Sequence, residues 1–124
     1  VIIPTRSVLV VEDEALIRLI LVDALRDAGL VVFEAANAAE ALVILQGRSS
    51  IYLMFTDIDM PGAADGLALS QMVSERWPAV LIVITSGMRR PIQEDIPAGA
   101  EFVPKPYLPE QVARRFCVSI GTEL

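Results

Sequence analysis

The sequence contains no histidine, one cysteine and one lysine among its 124 residues. Without histidine, the chain cannot use a Ser-His-Asp or Cys-His catalytic centre, a histidine metal site or a phosphohistidine of its own. The lone Cys117 excludes a disulfide scaffold and a zinc site built from cysteines, and it fits a reducing, cytoplasmic location. Any chemistry must therefore rely on carboxylates, hydroxyls or the amine of Lys105.

An excess of positive charge and a long apolar run are also missing. The 10 Lys and Arg are outnumbered by 16 Asp and Glu, and a formal net charge of −6 argues against binding to nucleic acid, a polyanion. No apolar run approaches the ~18 residues of a transmembrane helix, and no signal-peptide pattern is present, so we expect no membrane insertion. The length predicts one domain with a core that needs no disulfide or metal.

Short apolar runs alternate along the chain with segments of helical period. The runs predict strands at 8–11, 30–33, 51–55, 80–84 and 101–103, and the segments between them predict helices at 14–28, 38–46, 65–76 and 108–119. The connection 86–100 contains two prolines and two glycines, so we expect only a short or distorted fourth helix at about 92–95. This alternation predicts a doubly wound α/β fold with helices on both faces of a parallel sheet.

Polar side chains follow four of the five predicted strands. They are Glu12-Asp13-Glu14 after the first strand, Asp57-Ile58-Asp59 after the third, Thr85 after the fourth and Lys105 after the fifth. Because ligands of such sheets bind outside the carboxyl ends of the strands, we expect these groups to share one pocket. An all-oxygen site suits Mg²⁺, with phosphate as its companion. A metal, a lysine and a hydroxyl around one carboxylate are the parts expected for transferring a phosphoryl group onto that carboxylate.

Each of these features has a simpler explanation when it is taken alone. Acidic residues after a strand are often favoured by the dipole of the following helix. Asp57 and Asp59 flank a loop with Pro61 and Gly62, where Asp is a common turn former, and Lys105 could be a solvated surface residue. These explanations do not account for all four groups falling at strand ends, so the joint pattern favours a shared site.

The motifs resemble those of the receiver domain of two-component response regulators. They are Val8-Leu-Val-Val-Glu-Asp-Glu14, Phe55-Thr-Asp-Ile-Asp-Met-Pro-Gly62, Ile84-Thr-Ser-Gly87 and Phe102-Val-Pro-Lys-Pro-Tyr107, and together they cover essentially the whole chain. The resemblance implies a flavodoxin-like sheet of order 2-1-3-4-5, and a single receiver domain over 1–124 with no output domain in this chain. The sequence is similar both to stand-alone receivers and to receivers of hybrid sensor kinases, especially alphaproteobacterial ones.

The resemblance also implies a phosphoacceptor and its metal ligands. Asp57 would accept a phosphoryl group from the phosphohistidine of a sensor histidine kinase or a histidine phosphotransfer protein. Asp13 and Asp57 would bind Mg²⁺, or Mn²⁺, directly. Glu12 would act through water, and the backbone carbonyl of Asp59 would complete the protein ligands.

Three further residues are implied to respond to phosphorylation. Thr85 and Lys105 would contact the phosphoryl group, and Phe102 would move into the space that Thr85 leaves, although Phe102 is equally explained as a core residue of the last strand. The Lys105–Pro106 peptide bond is implied to be cis, which an X-Pro bond allows at ~0.5–1 kcal/mol.

The first predicted helix has two apolar stripes at helical spacing. One stripe should pack on the sheet and contains Ile17, Ile20, Leu21, Ala24, Leu25 and Ala28. The other contains Ala15, Leu19, Val22 and Arg26, and apolar residues on an outward stripe suggest a partner surface. The resemblance implies that this partner is the helical bundle of the kinase, while a dimer contact is the simpler alternative. The short fourth helix argues against a standard homodimer through its face and leaves a homodimer through another face open.

Two other functions remain open from the sequence. Asp57-Ile58-Asp59 resembles the Asp-x-Asp signature of haloacid dehalogenase-type aspartyl-phosphate phosphatases, in which the second Asp is a general acid. That signature, however, normally follows the first strand of a larger fold. The other alternative is a receiver that only binds a partner, which usually lacks the acceptor, the acidic pair or the lysine, and none of these is missing here.

Overall fold

A computed structural model describes residues 6–47, 50–60, 66–88, 91 and 93–121. Its strands are β1 (Ser7–Val11), β2 (Val31–Ala35), β3 (Ile51–Asp57), β4 (Leu81–Ser86) and β5 (Glu101–Pro104). Its helices are α1 (Ala15–Asp27), α2 (Ala38–Gly47), α3 (Gly66–Arg76) and α4 (Pro109–Ile120), and a 3-10 turn, Gln93–Asp95, lies between β4 and β5. In this part of the chain, none of the helices combines the length and apolarity that traversing a bilayer requires.

The five strands form one parallel sheet in the order β2-β1-β3-β4-β5, which confirms the predicted doubly wound, flavodoxin-like topology. β3 is the middle strand, with β1 on one side and β4 on the other. The register pairs Asp57 with Thr85 and Ser86 with Pro104. The ends of β3, β4 and β5 therefore lie level with each other, and the polar groups that follow the strands share the carboxyl edge of the sheet.

Each face of the sheet carries its own apolar core. α1 and α4 cover one face, where Leu21, Leu25 and Phe116 are almost completely buried. α2 and α3 cover the other face, where Ala41 and Leu69 are inaccessible to solvent. Full burial of a large apolar side chain contributes ~1.5–3 kcal/mol, so these cores hold the strand ends in fixed positions beneath the carboxyl edge.

All predicted strands and helices are present, with small shifts at their ends. β2 begins after Leu30 because the Leu30 N–H still donates to the Leu25 carbonyl at 3.1 Å and closes α1. Gly29, at φ 92°, supplies the left-handed residue that ends this helix. β3 continues past the apolar run to Asp57, which is still paired with β4.

The connection between β4 and β5 contains, among its described residues, a single 3-10 turn and no α-helix. This confirms the prediction of a short or distorted fourth helix, so the last helix of the chain is α4. Four residues used in the predictions, Pro61, Gly62, Asp65 and Ile92, lie outside the described residues.

Candidate functional site

Two buried carboxylates share one ammonium group at the carboxyl edge of the sheet. Glu12 follows β1, Asp57 ends β3 and Lys105 follows β5. The Nζ of Lys105 donates to Oε1 of Glu12 and to Oδ2 of Asp57, at 2.9 Å in each case. Both carboxylate side chains are 3% exposed, and the lysine side chain is 17% exposed. The predicted convergence of these strand ends is therefore present in the structure.

The buried charges shift the pKa values of their neighbours. Burial raises the pKa of Glu12 to about 7, the nearby Asp57 adds to this rise, and the hydrogen bond from Lys105 opposes it. Burial by itself would lower the pKa of Lys105, but the hydrogen bonds to Asp57 and Glu12 outweigh burial and raise it. Lys105 is therefore the internal counter-ion of two carboxylates that would otherwise repel each other.

The acidic side chains form a cluster of oxygen ligands. Carboxylate oxygens of Glu12, Asp13 and Asp57 all lie within 4.8 Å of one another, with Asp13 exposed and the other two buried. Carboxylates without histidine or cysteine suit a hard cation such as Mg²⁺, which also keeps several water ligands. The exposure of Asp13 leaves the cluster open to solvent, so these residues fit the ion that the resemblance implies. Coordination by the backbone carbonyl of Asp59 stays a prediction.

Asp59 makes contacts that the sequence did not predict. The backbone N–H of Asp59 donates to Oδ1 of Asp57 at 2.8 Å. Its Oδ2 accepts a hydrogen bond from the Ser86 hydroxyl at 2.6 Å, and others from the backbone N–H groups of Gly87 and Met88 at 3.2 Å each. One carboxylate thus connects the end of β3 to residues 86–88, which we call the β4 loop.

Thr85 and Phe102, the residues implied to respond to phosphorylation, lie on neighbouring strands. Thr85 is fully buried, and its Oγ1 has no hydrogen-bond partner among the residues that the structure describes. Leaving a buried hydroxyl unpaired costs ~1–3 kcal/mol, so this group would gain from an acceptor placed nearby. Phe102 is half-buried and packs against the core on the α2 and α3 face. Movement of either residue stays a prediction.

The segment around Lys105 is fixed by its flanking residues. The Lys105–Pro106 peptide bond is cis, as the resemblance implied. The Lys105 N–H donates to the carbonyl of Ser86 at 3.0 Å. Tyr107 packs edge-on against Phe55, with 5.4 Å between ring centroids, and burial raises the pKa of its phenol to about 12. These contacts position the lysine ammonium over the acidic cluster.

Two supporting residues were not identified from the sequence. Gly66, the first residue of α3, lies so close to β3 that a Cβ on it would overlap the carbonyl oxygen of Asp57 and lie 2.7 Å from Cα of Ile58. Arg18 on α1 donates from Nη1 to the carbonyl oxygen of Glu12 at 2.6 Å. A glycine after a loop and an arginine on a helix are common, and only the fold shows what they touch.

The predicted surface of α1 requires a correction. Val22, expected on the outward stripe, is 1% exposed and lies in the core, and Ile20, expected to pack on the sheet, is 50% exposed. Both predictions were wrong because both stripes are apolar, so helical spacing alone could not show which one faces the sheet. The exposed apolar residues, which we call the α1 patch, are Ala15, Leu16, Leu19 and Ile20.

The strand order and the oxygen cluster at the carboxyl edge define a flavodoxin-like α/β domain with a magnesium-type site. The chain belongs to the response regulator receiver domain family, whose model matches residues 8–116. It is thus a receiver domain of two-component signal transduction, a class of signalling switch that pairs with histidine kinases and binds Mg²⁺ at its acidic site. Neither the phosphatase nor the binding-only alternative gains support, since Asp57 ends the third strand and the acidic pair and lysine are all in place.

The chain is similar in sequence to parts of much longer proteins. It is 33% identical over 111 residues to the sensor kinase CckA of Brucella abortus (strain 2308), in an alignment that covers 86% of this chain and 12% of that protein. It is 34% identical over 101 residues to the DNA-binding transcriptional regulator NtrC of Escherichia coli (strain K12), covering 79% and 21%. The chain therefore spans about a tenth to a fifth of these relatives.

Solved receiver structures share the whole fold. The receiver domain of NtrX from Brucella abortus superposes with a TM-score of 0.82 at 30% identity, covering 94% of this chain and 100% of that one. The receiver domain from the hybrid histidine kinase CckA gives a TM-score of 0.77 at 30% identity, covering 92% and 98%.

Proposed function

We propose that this receiver accepts a phosphoryl group on the carboxylate of Asp57, from the phosphohistidine of a sensor histidine kinase or a histidine phosphotransfer protein. The supporting observation is the place of Asp57 on the middle strand, with Glu12 on one side and Thr85 on the other. Its two carboxylate oxygens accept hydrogen bonds from the Asp59 N–H and the Lys105 ammonium. Asp57 therefore has around it a metal-type cluster, a cation and a hydroxyl that pairs with none of the described residues.

The proposed step is a displacement at phosphorus. A carboxylate oxygen of Asp57 forms a bond to phosphorus while the bond from phosphorus to the donor's imidazole nitrogen breaks, and the leaving imidazole takes up a proton from solvent. Bound Mg²⁺, or Mn²⁺, supplies positive charge that offsets the carboxylates and the phosphoryl oxygens. Within the chain, Asp13, Glu12 and the Asp59 carbonyl are the remaining ligands we propose. Lys105 supplies a second positive charge, and the hydrogen bond from the Asp59 N–H orients the acceptor.

The proposed switch follows from the two groups that gain a new acceptor. Thr85 Oγ1 has no hydrogen-bond partner in the part of the chain that the structure describes, and Lys105 is shared between Glu12 and Asp57. A phosphoryl group on Asp57 would attract both. The equilibrium moves only as far as the phosphoryl group binds the second state better than the first. Phe102 would then occupy the space that Thr85 leaves.

The test uses Mg²⁺ and a small acyl phosphodonor. We expect a mass increase of one phosphoryl group that requires Mg²⁺ and is absent from Asp57→Asn. The matched control is Asp27→Asn, which changes an exposed carboxylate at the end of α1 and should behave like the parent. A long-lived adduct supports the receiver, rapid turnover of many phosphoesters would support a phosphatase, and no adduct from any donor would support a binding-only protein.

We further propose that the α1 patch docks the donor protein. Leu19 is 53% exposed, and Ile17 and Ile20 line a cleft whose other residues include Tyr107 and the Lys105 that contacts Asp57. The patch therefore adjoins the acceptor and is apolar enough to bury against a helical bundle.

The docking proposal predicts different effects of one variant on two kinds of phosphoryl donor, the cognate kinase and a small acyl phosphate. Leu19→Glu should slow phosphotransfer from the cognate kinase and leave uptake from a small acyl phosphate unchanged. The matched control is Val43→Glu, since Val43 is 70% exposed on α2, a helix on the opposite face of the sheet. Equal loss with both donors, or equal slowing by the control, would count against docking through α1.

A further inference from the structure

We propose that Asp59 is a positioning residue that holds the β4 loop in its unphosphorylated arrangement and so sets how readily the receiver switches. The inference rests on the proposed function and concerns the regulation of that site. Its basis is the contact between the Asp59 carboxylate and Ser86, Gly87 and Met88, which joins the loop after the acceptor strand to the loop after the Thr85 strand.

The contact has the form of an anion bound in a small cradle. Two successive backbone N–H groups, of Gly87 and Met88, point at the same carboxylate oxygen that accepts the Ser86 hydroxyl. Successive N–H groups in a turn form a concave site for anions, and hydrogen bonds to an ionised acceptor are about twice as strong as neutral ones. Ser86 is itself 2% exposed, so its hydroxyl is shielded from competing water. The Asp59 carboxylate is thus a restraint on the β4 loop whose shielded part is the bond from Ser86, while the bonds from Gly87 and Met88 are exposed to solvent.

The restraint acts on the residue that must respond to phosphorylation. Thr85 directly precedes the β4 loop, and its backbone carbonyl accepts the Ile58 N–H at 3.0 Å. In this arrangement the Thr85 hydroxyl is buried and, among the described residues, has no partner. An unpaired buried hydroxyl is unfavourable, so neighbouring contacts must hold Thr85 where it is. The Asp59 contact to the next three residues does so, and it therefore stabilises the state that switching has to leave.

The acceptor and the restraint are connected through the same residue. The Asp59 N–H donates to Oδ1 of Asp57, two residues away. A phosphoryl group carries a charge of roughly −1.5 to −2 in place of the single charge of the Asp57 carboxylate, so the negative charge next to the Asp59 carboxylate increases, and like charges in a partly buried site repel. Phosphorylation of Asp57 therefore weakens the Asp59 contact and frees the β4 loop, together with Thr85, to move.

The test measures binding of fluoroberyllate, a phosphoryl mimic, in the presence of Mg²⁺. The variants are Asp59→Ala, Ser86→Ala and the double variant, and the matched control is Asp27→Ala, which removes one exposed carboxylate elsewhere. If Asp59 restrains the resting state, each single variant binds fluoroberyllate roughly three- to tenfold more tightly than the parent. The double variant shows little further gain, because both changes break the same contact.

A second measurement needs neither metal nor mimic. Hydrogen exchange of the Gly87 amide in the free protein should be faster in Asp59→Ala, because its acceptor is gone. The Met88 N–H also donates to the Ser86 Oγ at 3.2 Å, so its exchange should be fastest in the double variant, which removes both acceptors. Equal or weaker fluoroberyllate binding by the variants, additive effects in the double variant, or unchanged amide exchange would overturn the restraint while leaving the phosphoacceptor role intact. If the parent itself bound no fluoroberyllate, the proposed function would fail, and the proposed regulation with it.

Discussion

Replacing Lys105 by methionine removes the cation that Glu12 and Asp57 share, and the structure gives the size of the effect. The two carboxylates have oxygens within 4.8 Å of each other, so at an effective dielectric of 20 they repel by about 3.5 kcal/mol. Both side chains are 3% exposed, which leaves little screening by water. Breaking a buried ion pair by removing one partner typically costs ~3–5 kcal/mol. We therefore expect Lys105→Met to lose about 3–4 kcal/mol of unfolding free energy above neutral pH in the absence of divalent cations.

The assay is urea unfolding followed by the fluorescence of Trp77, the single tryptophan. The loss should shrink at acid pH, because Glu12 already has its pKa raised to about 7 and takes up a proton. It should also shrink with Mg²⁺, which replaces the missing cation, and the variant should bind Mg²⁺ more tightly than the parent. The matched control is Arg115→Met, which breaks an exposed ion pair with Glu101 and should cost ~0–1 kcal/mol. A variant as stable as the parent, or a loss that neither pH nor Mg²⁺ changes, would refute the reasoning.

Three further changes test the surroundings of the site. Gly66→Ala should lower the unfolding free energy by ~1–3 kcal/mol and weaken Mg²⁺ binding, because the added Cβ forces the Asp57 backbone to shift. The control is Gly47→Ala, where nothing lies within 4 Å of an added Cβ. It should be neutral or stabilising in the same urea and Mg²⁺ titrations. In the folded protein the pKa of Glu12 is about 7, above its ordinary value of 4.5. The protonated Glu12 therefore stabilises the fold fully below pH 4.5, and this stabilisation is lost as the pH rises through the folded pKa. Glu12→Gln should therefore gain stability relative to the parent across that interval without Mg²⁺, and a constant difference in urea unfolding would contradict this. Asn37, whose Oδ1 accepts the Glu40 N–H at the start of α2, should cost ~1 kcal/mol when changed to alanine, with Mg²⁺ affinity unaltered.

The sequence could predict that the site residues lie together, because this depends only on the direction of the strands. Buried parallel strands appear in the sequence as short apolar runs, and every parallel strand ends at the same edge of the sheet. Glu12, Asp57, Thr85 and Lys105 all stand at or just after the end of such a run, so their meeting needed no knowledge of side-chain packing. The cis peptide at Lys105–Pro106 came from the resemblance and not from the pattern.

The contacts that were missed depend on packing between segments distant in sequence. Val22 was wrongly assigned to the outward face of α1 and Ile20 to the buried face, because apolar residues extend around more of the helix than the sheet covers. The contacts of the Asp59 side chain were not predicted because its partners, Ser86 to Met88, lie 27 to 29 residues away in the sequence. Two of the three donors are backbone N–H groups, which no residue type identifies in a sequence. Gly66 was not identified from the sequence, and only the position of α3 shows that a side chain there would displace Asp57.

The site already contains the charges that the proposed phosphorylation would rearrange. The ammonium of Lys105 donates to both Glu12 and Asp57. The Asp59 carboxylate accepts hydrogen bonds from the β4 loop. In the mechanism we propose, a phosphoryl group on Asp57 would compete for the lysine and repel the Asp59 carboxylate, so one new charge would act on both contacts at once. A single nitrogen of the lysine donates to both oxygens at 2.9 Å, whereas an arginine would spread its donors over a broad planar fork. The one lysine of the chain, whose other nine cationic side chains are arginines, thus stands where the proposed mechanism requires a lysine.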